Sequence, residues 1–230
     1  MEEDLFYADA MAMVVVTGSA GKIGSVLTED AGPHGIVEFD LPEHDMLDLP
    51  ALVAACRGAD VLVHLAGQFT AENIFTDVID PANVEMDLNA YRATIEAGLP
   101  RVIVASSVHA DQFYLHSGPE RLHPLRPHPV PTTPYGARKQ MLEALGRHYC
   151  STAGLDVIAI RFGGINRHDT IPDDPHEAAV RLTRADCRRM LLATIEAPVV
   201  PGRFSVLYAV SDNPTRRHDL DNPFGWQPER

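Results

Sequence analysis

A doubly wound α/β fold, a parallel sheet covered by helices on both faces and topped by a small C-terminal substrate cap, is what this 230-residue chain predicts. Three observations lead there. Six short runs rich in β-branched residues recur along the chain; helix-length segments separate them; and the first run flows straight into a glycine-rich turn that opens a helix. Strands that are apolar almost throughout must be buried on both faces, which implies helices on either side of a parallel sheet and right-handed crossovers between strands.

The elements follow in order. Residues 1–12, "MEEDLFYADAMA", read as an acidic extension, and residues 13–230 as a single domain whose cap segments fall mainly within 164–203 and 211–230. The strands are expected at "MVVVTG" (13–18), "GIVEFD" (35–40), "DVLVHLAG" (60–67), "RVIVASS" (101–107), "LDVIAIRFGG" (155–164) and "FSVLYAV" (204–210). The stretch "LHSGPERLHPLRPHPVPTTP" (115–134) is so rich in proline that it must be an irregular loop, because proline removes donors from any ladder. Trp226, in "FGWQP", is expected to anchor the C-terminus by packing.

Composition narrows the function classes. A net charge of −13 and a pI near 5.2 disfavour nucleic acid and anionic membranes, both of which need clustered cations. No stretch approaches the roughly 20 apolar residues of a membrane span. Cys56, Cys150 and Cys187 form an odd, widely spaced set without C-x-x-C, so neither a disulfide framework nor a zinc ribbon is expected, and a reducing cytoplasm fits best. His116, His123 and His128 share the proline-rich loop, but their spacing belongs to no helix or hairpin and no acid or thiol completes a shell, so no metal is expected.

The turn Gly18-Ser-Ala-Gly21-Lys-Ile-Gly24 carries the first chemistry. A loop poor in side chains lets backbone N–H groups approach a pyrophosphate, with a helix N-terminus behind it. Asp40 ends the next strand, where a carboxylate can accept hydrogen bonds from ribose hydroxyls while repelling a 2′-phosphate, so the pattern favours NAD over NADP. Lys22 is a candidate phosphate contact and equally a candidate for a solvated side chain.

The chain holds only two lysines, Lys22 and Lys139, against seventeen arginines. Lys139 lies four residues after Tyr135, and residues four apart share a helix face. A phenol titrates near ~10, and an adjacent ammonium together with a cationic nicotinamide favours the phenolate, making Tyr135 a candidate general base. Ser107, at the C-terminal end of a strand, can hydrogen-bond the same substrate oxygen.

Taken together, T-G-x-x-G-x-x-G, Asp40, "ASS" and "YGARK" resemble the extended, epimerase/dehydratase-like branch of the short-chain dehydrogenase/reductase superfamily, over almost the whole chain. The resemblance implies a Rossmann-like fold, with Ser107, Tyr135 and Lys139 catalytic. It implies a cofactor shell of Gly18, Ala20, Gly21, Lys22, Ile23, Gly24 and Asp40; Asp48 and Leu49 near the adenine; Leu65, Ala66 and Gly67 in "HLAG"; and Asn83, Ser106, Tyr135 and Lys139. Asn83 and Asn89 match that family's N-x-x-x-x-x-N helix. Homodimers pairing the helix of Tyr135 with that of Asn89 are implied as well.

Within this branch, "ASSVHADQFY", "IRFGG" and "YAVSDNP…HDLDNPFGWQPE" resemble segments of uronate dehydrogenases and related sugar dehydrogenases. Those enzymes oxidise the anomeric carbon of a free sugar acid to a lactone with NAD. The implied activity is NAD-dependent oxidation of a hydroxyl on a small free sugar or sugar acid, with Ser107, Val108, His109, Gly164 and Arg167 toward the substrate. Departures stand out: Val108 replaces a polar asparagine and Gly164 a substrate-binding serine. Arg167 and Arg181 are carboxylate candidates by charge alone, and Arg181, Arg184, Arg188 and Arg189 read as a solvated face. His109 reads chiefly as a hydrogen-bonded histidine at a strand end. The alternatives are a sugar epimerase or dehydratase that recycles its NAD, and a non-catalytic NAD-binding sensor.

Overall fold

The computed structural model describes residues 11–68, 78–111 and 121–229. All six expected strands form: β1 (Met13–Thr17), β2 (Gly35–Phe39), β3 (Val61–His64), β4 (Arg101–Ser107), β5 (Asp156–Phe162) and β6 (Phe204–Ala209). They pair in parallel throughout, in the order β2-β1-β3-β4-β5-β6. The chain winds outward from β1 to β2 and then returns to the other side of β1 for β3. A crevice therefore opens beyond the C-terminal ends of β1 and β3, where open α/β sheets bind ligands.

Strand alternation builds two cores. Val14 and Val16 of β1, Ile103 of β4, and Ile158 and Ile160 of β5 face one layer, while Val15, Val102, Val104, Val157 and Ala159 face the other. Fully burying a valine or isoleucine stabilises by about 1.5–3 kcal/mol. A one-residue slip would turn every such side chain to the wrong layer, so the register is strongly specified.

The first layer is covered by α1 (Gly24–Glu29) and α6 (Arg184–Glu196), the second by α2 (Leu49–Cys56), α3 (Pro81–Ala97) and α4 (Pro134–Ala153). Helices α3 and α4 each start where the sequence provides a cap followed by proline. Asp80 accepts from the Ala82 amide at 2.9 Å ahead of Pro81, and Thr133 accepts from Gly136 N at 3.1 Å ahead of Pro134. Side-chain caps satisfy amides that have no partner within the helix.

The segment 164–203 contains a short helix, α5 (Pro175–Ala179), and then α6. Helix α6 packs on the sheet beside β6, with Cys187, Met190 and Leu191 buried in the same core as Val14 and Val16 of β1. Its arginines are not a free solvated face. Arg184 pairs with Glu29 (2.6 Å) and Arg188 with Asp30 (2.8 Å), stitching α6 to α1, while Arg189 pairs with Glu229 (2.7 Å). Trp226 is buried, as expected, and its indole N–H donates to Asp186 O at 3.1 Å. The histidine-bearing loop is described only from residue 121: Leu122 bridges to His218, and Gln140 Nε2 donates to Pro129 O at 2.9 Å. Residues 1–10 of the expected extension, and His116, lie outside the described residues.

Candidate active site

The turn after β1 is a tight cradle. Gly18 adopts φ +68°, in the left-handed region, and a Cβ there would lie 2.7 Å from Ala66 N, so only glycine fits between β1 and the segment after β3. Asp40 closes the far side, its Oδ2 accepting from Ala20 N and its Oδ1 from Leu41 N, both at 2.9 Å. No side chain caps α1, and its first turn carries no acid, which suits a phosphate at the loop. A dinucleotide therefore fits the residues present: glycines where its phosphates approach, and a carboxylate at the ribose position.

Several predicted cofactor residues act on this cradle through the protein itself. Thr17 Oγ1 accepts from Leu65 N (3.3 Å) and Ala66 N (3.4 Å), holding the "LAG" segment against β1. Asn83 clamps the next residue, accepting from Gln68 N at 2.7 Å and donating to Gln68 O at 2.8 Å. Asp48 caps α2 through Ala51 N at 3.1 Å, and Leu49 packs on the second core. Asn89 is buried, donating to Met46 O at 3.0 Å, and so steadies the segment leading to α2. Lys22 is exposed at the mouth of the cradle.

The second half of the site gathers at the C-terminal end of β4. Ser107 caps a 3₁₀ turn over Val108–Ala110, its Oγ accepting from His109 N at 3.2 Å, and its hydroxyl is near enough to the Tyr135 phenol to favour the phenolate. Tyr135 lies in the first turn of α4, brought close by Gly136. A Cβ on Gly136 would lie 2.1 Å from His109 O, so this residue lets the helix start touch the strand end. The His109 ring stands edge-on to Tyr135 with centroids 5.8 Å apart, and burial lowers His109 to about 4, keeping it neutral at physiological pH. Val108 is buried.

Lys139 Nζ donates to Ala105 O at 2.5 Å and lies over the Tyr135 ring, 5.7 Å from its centroid. Burial, and then the Arg138 charge, bring Lys139 down to about 7. Tyr135 itself is raised, by burial first, with Arg138 and the Ser107 hydrogen bond working against the rise and Asp87 adding to it. In the free protein, then, burial outweighs the groups that lower the Tyr135 phenol.

Two buried networks flank these residues, and the sequence pointed to neither. In one, Arg138 Nη1 donates to Asp87 Oδ2 at 2.6 Å, while His64 lies 3.2 Å from the other Asp87 oxygen and 2.8 Å from Thr17 Oγ1. Burial lowers His64, and Asp87 is held below the usual carboxylate range because its partners outweigh its burial. An ionised carboxylate only accepts, so His64 Nε2 carries the proton and Nδ1 accepts from Thr17. In the other, Ser106 Oγ donates to Glu143 at 2.6 Å, and Glu143 takes two hydrogen bonds from Arg161, at 2.8 and 2.9 Å. Arg161 continues to Tyr208 at 3.0 Å, beside Asp111. The Ser106 hydroxyl is therefore committed to the layer beneath the cleft. Glu143 was detectable as the residue four after Lys139 on one helix face, and Arg161 as a charge inside an apolar strand.

The substrate-side candidates separate. Gly164 forms a bridge at the end of β5, donating to Val180 O at 2.9 Å and accepting from Leu182 N at 2.8 Å. Arg167 Nη2 donates to Ala20 O at 3.1 Å, which puts it on the cofactor cradle, and Arg181 Nη2 donates to Asp169 O at 2.6 Å. Among the described residues no group of three acidic, histidine or cysteine side chains could hold a metal, and no helix is long and apolar enough to cross a membrane.

A glycine cradle at the switch point, with a tyrosine, a lysine and a serine at the neighbouring strand end, defines a Rossmann-like oxidoreductase of the short-chain dehydrogenase/reductase class. The chain belongs to the NAD dependent epimerase/dehydratase family, whose model matches residues 14–165. It is 28% identical to the L-arabinose 1-dehydrogenase (NAD(P)(+)) of Haloferax volcanii, over 95% of this chain and 96% of the relative. It is 27% identical to the uronate dehydrogenase of Agrobacterium fabrum, over 95% of this chain and 85% of that one. The crystal structure of uronate dehydrogenase from Agrobacterium tumefaciens matches with a TM-score of 0.75 at 26% identity, covering 96% of this chain and 85% of that one. A tyrosine-to-alanine variant of that enzyme, complexed with NAD, matches at 0.70 and 25%, covering 96% and 86%.

Proposed function

We propose that the protein is an NAD-dependent dehydrogenase of a small free sugar, with Tyr135 as general base, Ser107 as the group that orients the reacting oxygen and Lys139 as the residue that holds the cofactor ribose. The observation that carries this reading is the close approach of the start of α4 to the end of β4 at Gly136 and His109, which brings Tyr135 to Ser107. When bound, NAD would supply the hydride acceptor, and Tyr135, as phenolate, would take the proton of the substrate hydroxyl. Gly18, Ala20, Gly21, Lys22, Ile23, Gly24, Asp40, Ala66 and Gly67 would line the cofactor, and His109, neutral and edge-on to Tyr135, would offer a hydrogen bond to the sugar.

Among sugars, a neutral aldose is favoured over a uronate. Val108 and Gly164 offer no polar side chain, and both arginines suggested by charge bond elsewhere, Arg167 to Ala20 and Arg181 to Asp169. The test is NADH absorbance with purified protein, NAD or NADP, and a panel of pentoses, hexoses and uronic acids. Turnover of aldoses ahead of uronates is expected; turnover of uronates alone would reverse the preference, and silence across the panel would overturn the reading.

Two variants probe the ends of the site. Replacing Asp40 with alanine should raise the KM for NAD about 10–100-fold, as loss of hydrogen bonds to a charged group does, and narrow the preference against NADP. A side chain at Gly164 meets nothing within 4 Å. Gly164→Ser is therefore expected to leave the melting temperature unchanged and to raise kcat/KM for uronates relative to aldoses about two- to tenfold, the worth of one hydrogen bond. We further infer residence in a reducing cytoplasm, consistent with three free cysteines, and a homodimer pairing α3 with α4, where Ile95 and Met141 are exposed.

A further inference from the structure

Arg138 was no part of the predicted machinery, and the Y-x-x-x-K spacing does not involve it. It is nonetheless buried one position before Lys139, its side chain 4% exposed and its partner Asp87 fully buried. Nη1 donates to Asp87 at 2.6 Å and, more weakly, to Asn83 O at 3.4 Å. The guanidinium carbon lies 5.8 Å from the centroid of the Tyr135 ring. Nη2 is buried and has no hydrogen-bond partner among the described residues. A buried guanidinium with an unused donor is costly when its only role is to anchor two helices, since a leucine in a matched apolar pair would do so without desolvation.

We propose that Arg138 is a positioning residue for the reaction: held by Asp87 beside the ring of Tyr135, its guanidinium supplies the permanent positive field under which the phenol gives up its proton. This rests on the reading of Tyr135 as general base. The charged and titratable groups around that phenol are few. From α4 come Arg138 and Lys139, and Glu143 one turn further on; from α3 comes Asp87; and from the turn after β4 comes His109. Glu143 is bound to Arg161. Neutral His109 contributes no charge. Lys139, brought to about 7 by burial, is only partly charged at neutral pH, whereas a guanidinium stays charged under all such conditions. The part of the field at Tyr135 that does not vary near neutral pH is therefore the cation of Arg138 less the anion of Asp87, to which Lys139, over the same ring, adds its protonated fraction; of the fixed pair the cation is the stronger influence on Tyr135.

The sign of each charge makes the test decisive. If phenolate is the working form, removing the cation raises the pH at which activity appears, and removing the anion lowers it. In Arg138→Gln the acid limb of kcat/KM is expected to move up by about one pH unit, a roughly tenfold loss at neutral pH that is recovered at alkaline pH. In Asp87→Asn the limb is expected to move down. A purely structural pair would lower activity in both variants and leave the limb in place, so unmoved or like-signed shifts would overturn the proposal. Lys139 gains charge when Arg138 is lost and so opposes the upward shift; an unmoved limb would mean that the lysine, not Arg138, sets the field.

A second readout needs no turnover. Phenolate absorbance of the substrate-free protein, taken as the difference from Tyr135→Phe, should titrate later in Arg138→Gln and earlier in Asp87→Asn. Opposite shifts in a protein that oxidises no sugar would refute the dehydrogenase reading and retain the field; an active enzyme with unshifted titrations would do the reverse. If Arg138→Gln fails to fold because Asp87 is left unpaired, the Asp87→Asn/Arg138→Gln double variant removes both charges of the pair and should still titrate later than wild type, because the stronger of the two influences has been removed. An unshifted double variant counts against the proposal.

Discussion

Tyr135→Phe is expected to lower kcat by about 10²–10⁴-fold, the usual worth of a general base, while leaving the affinity for NAD within about twofold, as a change outside the uniform-binding contacts should. The variant deletes one oxygen from a ring whose position is set by the start of α4 and by its edge-on contact with His109, so the fold has no reason to change. The measurement is initial-rate kinetics on the best sugar of the panel, paired with NAD titration by quenching of protein fluorescence. In the wild type the rate should climb with pH as Tyr135 deprotonates, because burial holds the phenol above its ordinary value in the free protein, and the residual rate of the variant should lose that rise. A variant that retains turnover would remove Tyr135 from the mechanism.

Glu143→Leu should destabilise the protein by about 3–5 kcal/mol, because it leaves the buried Arg161 guanidinium without its carboxylate. Both side chains are 2% exposed, and the bidentate geometry holds Arg161 above the usual guanidinium range in spite of its burial. For a chain of this size the loss corresponds to a fall in melting temperature of roughly 6–20 °C. Thermal unfolding should show it directly, and the Glu143→Leu/Arg161→Met double variant should recover most of the loss, since an apolar pair of similar volume carries no unpaired charge. A single variant that melts within about 2 °C of wild type would mean that Arg161 is satisfied by Tyr208 and Asp111 alone, at roughly 2–4 °C per kcal/mol.

Those two residues sit about two turns apart on the same helix, yet only Tyr135 belongs to a spacing that signals chemistry. The tyrosine belongs to a local spacing, and its helix is announced by Thr133 and Pro134 a few residues upstream. The glycine cradle, Asp40 at the end of β2, the six strands and the capped starts of α3 and α4 are local in the same sense. Each follows from residues within a turn or a strand of one another, where backbone geometry alone settles what can happen. Family membership and the class of cofactor follow from that same set.

What required the tertiary structure is the pairing of distant groups. Asp87 meets Arg138 across 51 positions, Ser106 meets Glu143 across 37, and Arg167 reaches Ala20 across 147. Such contacts depend on which helix lands on which face of the sheet, and a single sequence does not encode them as a recognisable spacing. Burial is decided at the same level. Lys139 and Tyr135 look like an ammonium beside a phenol when written in a line, but folding removes both from water, directs the lysine to Ala105 and leaves Arg138 as the charge that persists. The sequence determined the sheet, the cradle and the place of Tyr135 at the start of α4 because these are local; the structure alone decided the electrostatics around that tyrosine, because a charge in a protein acts through its neighbours in space and through the water they exclude.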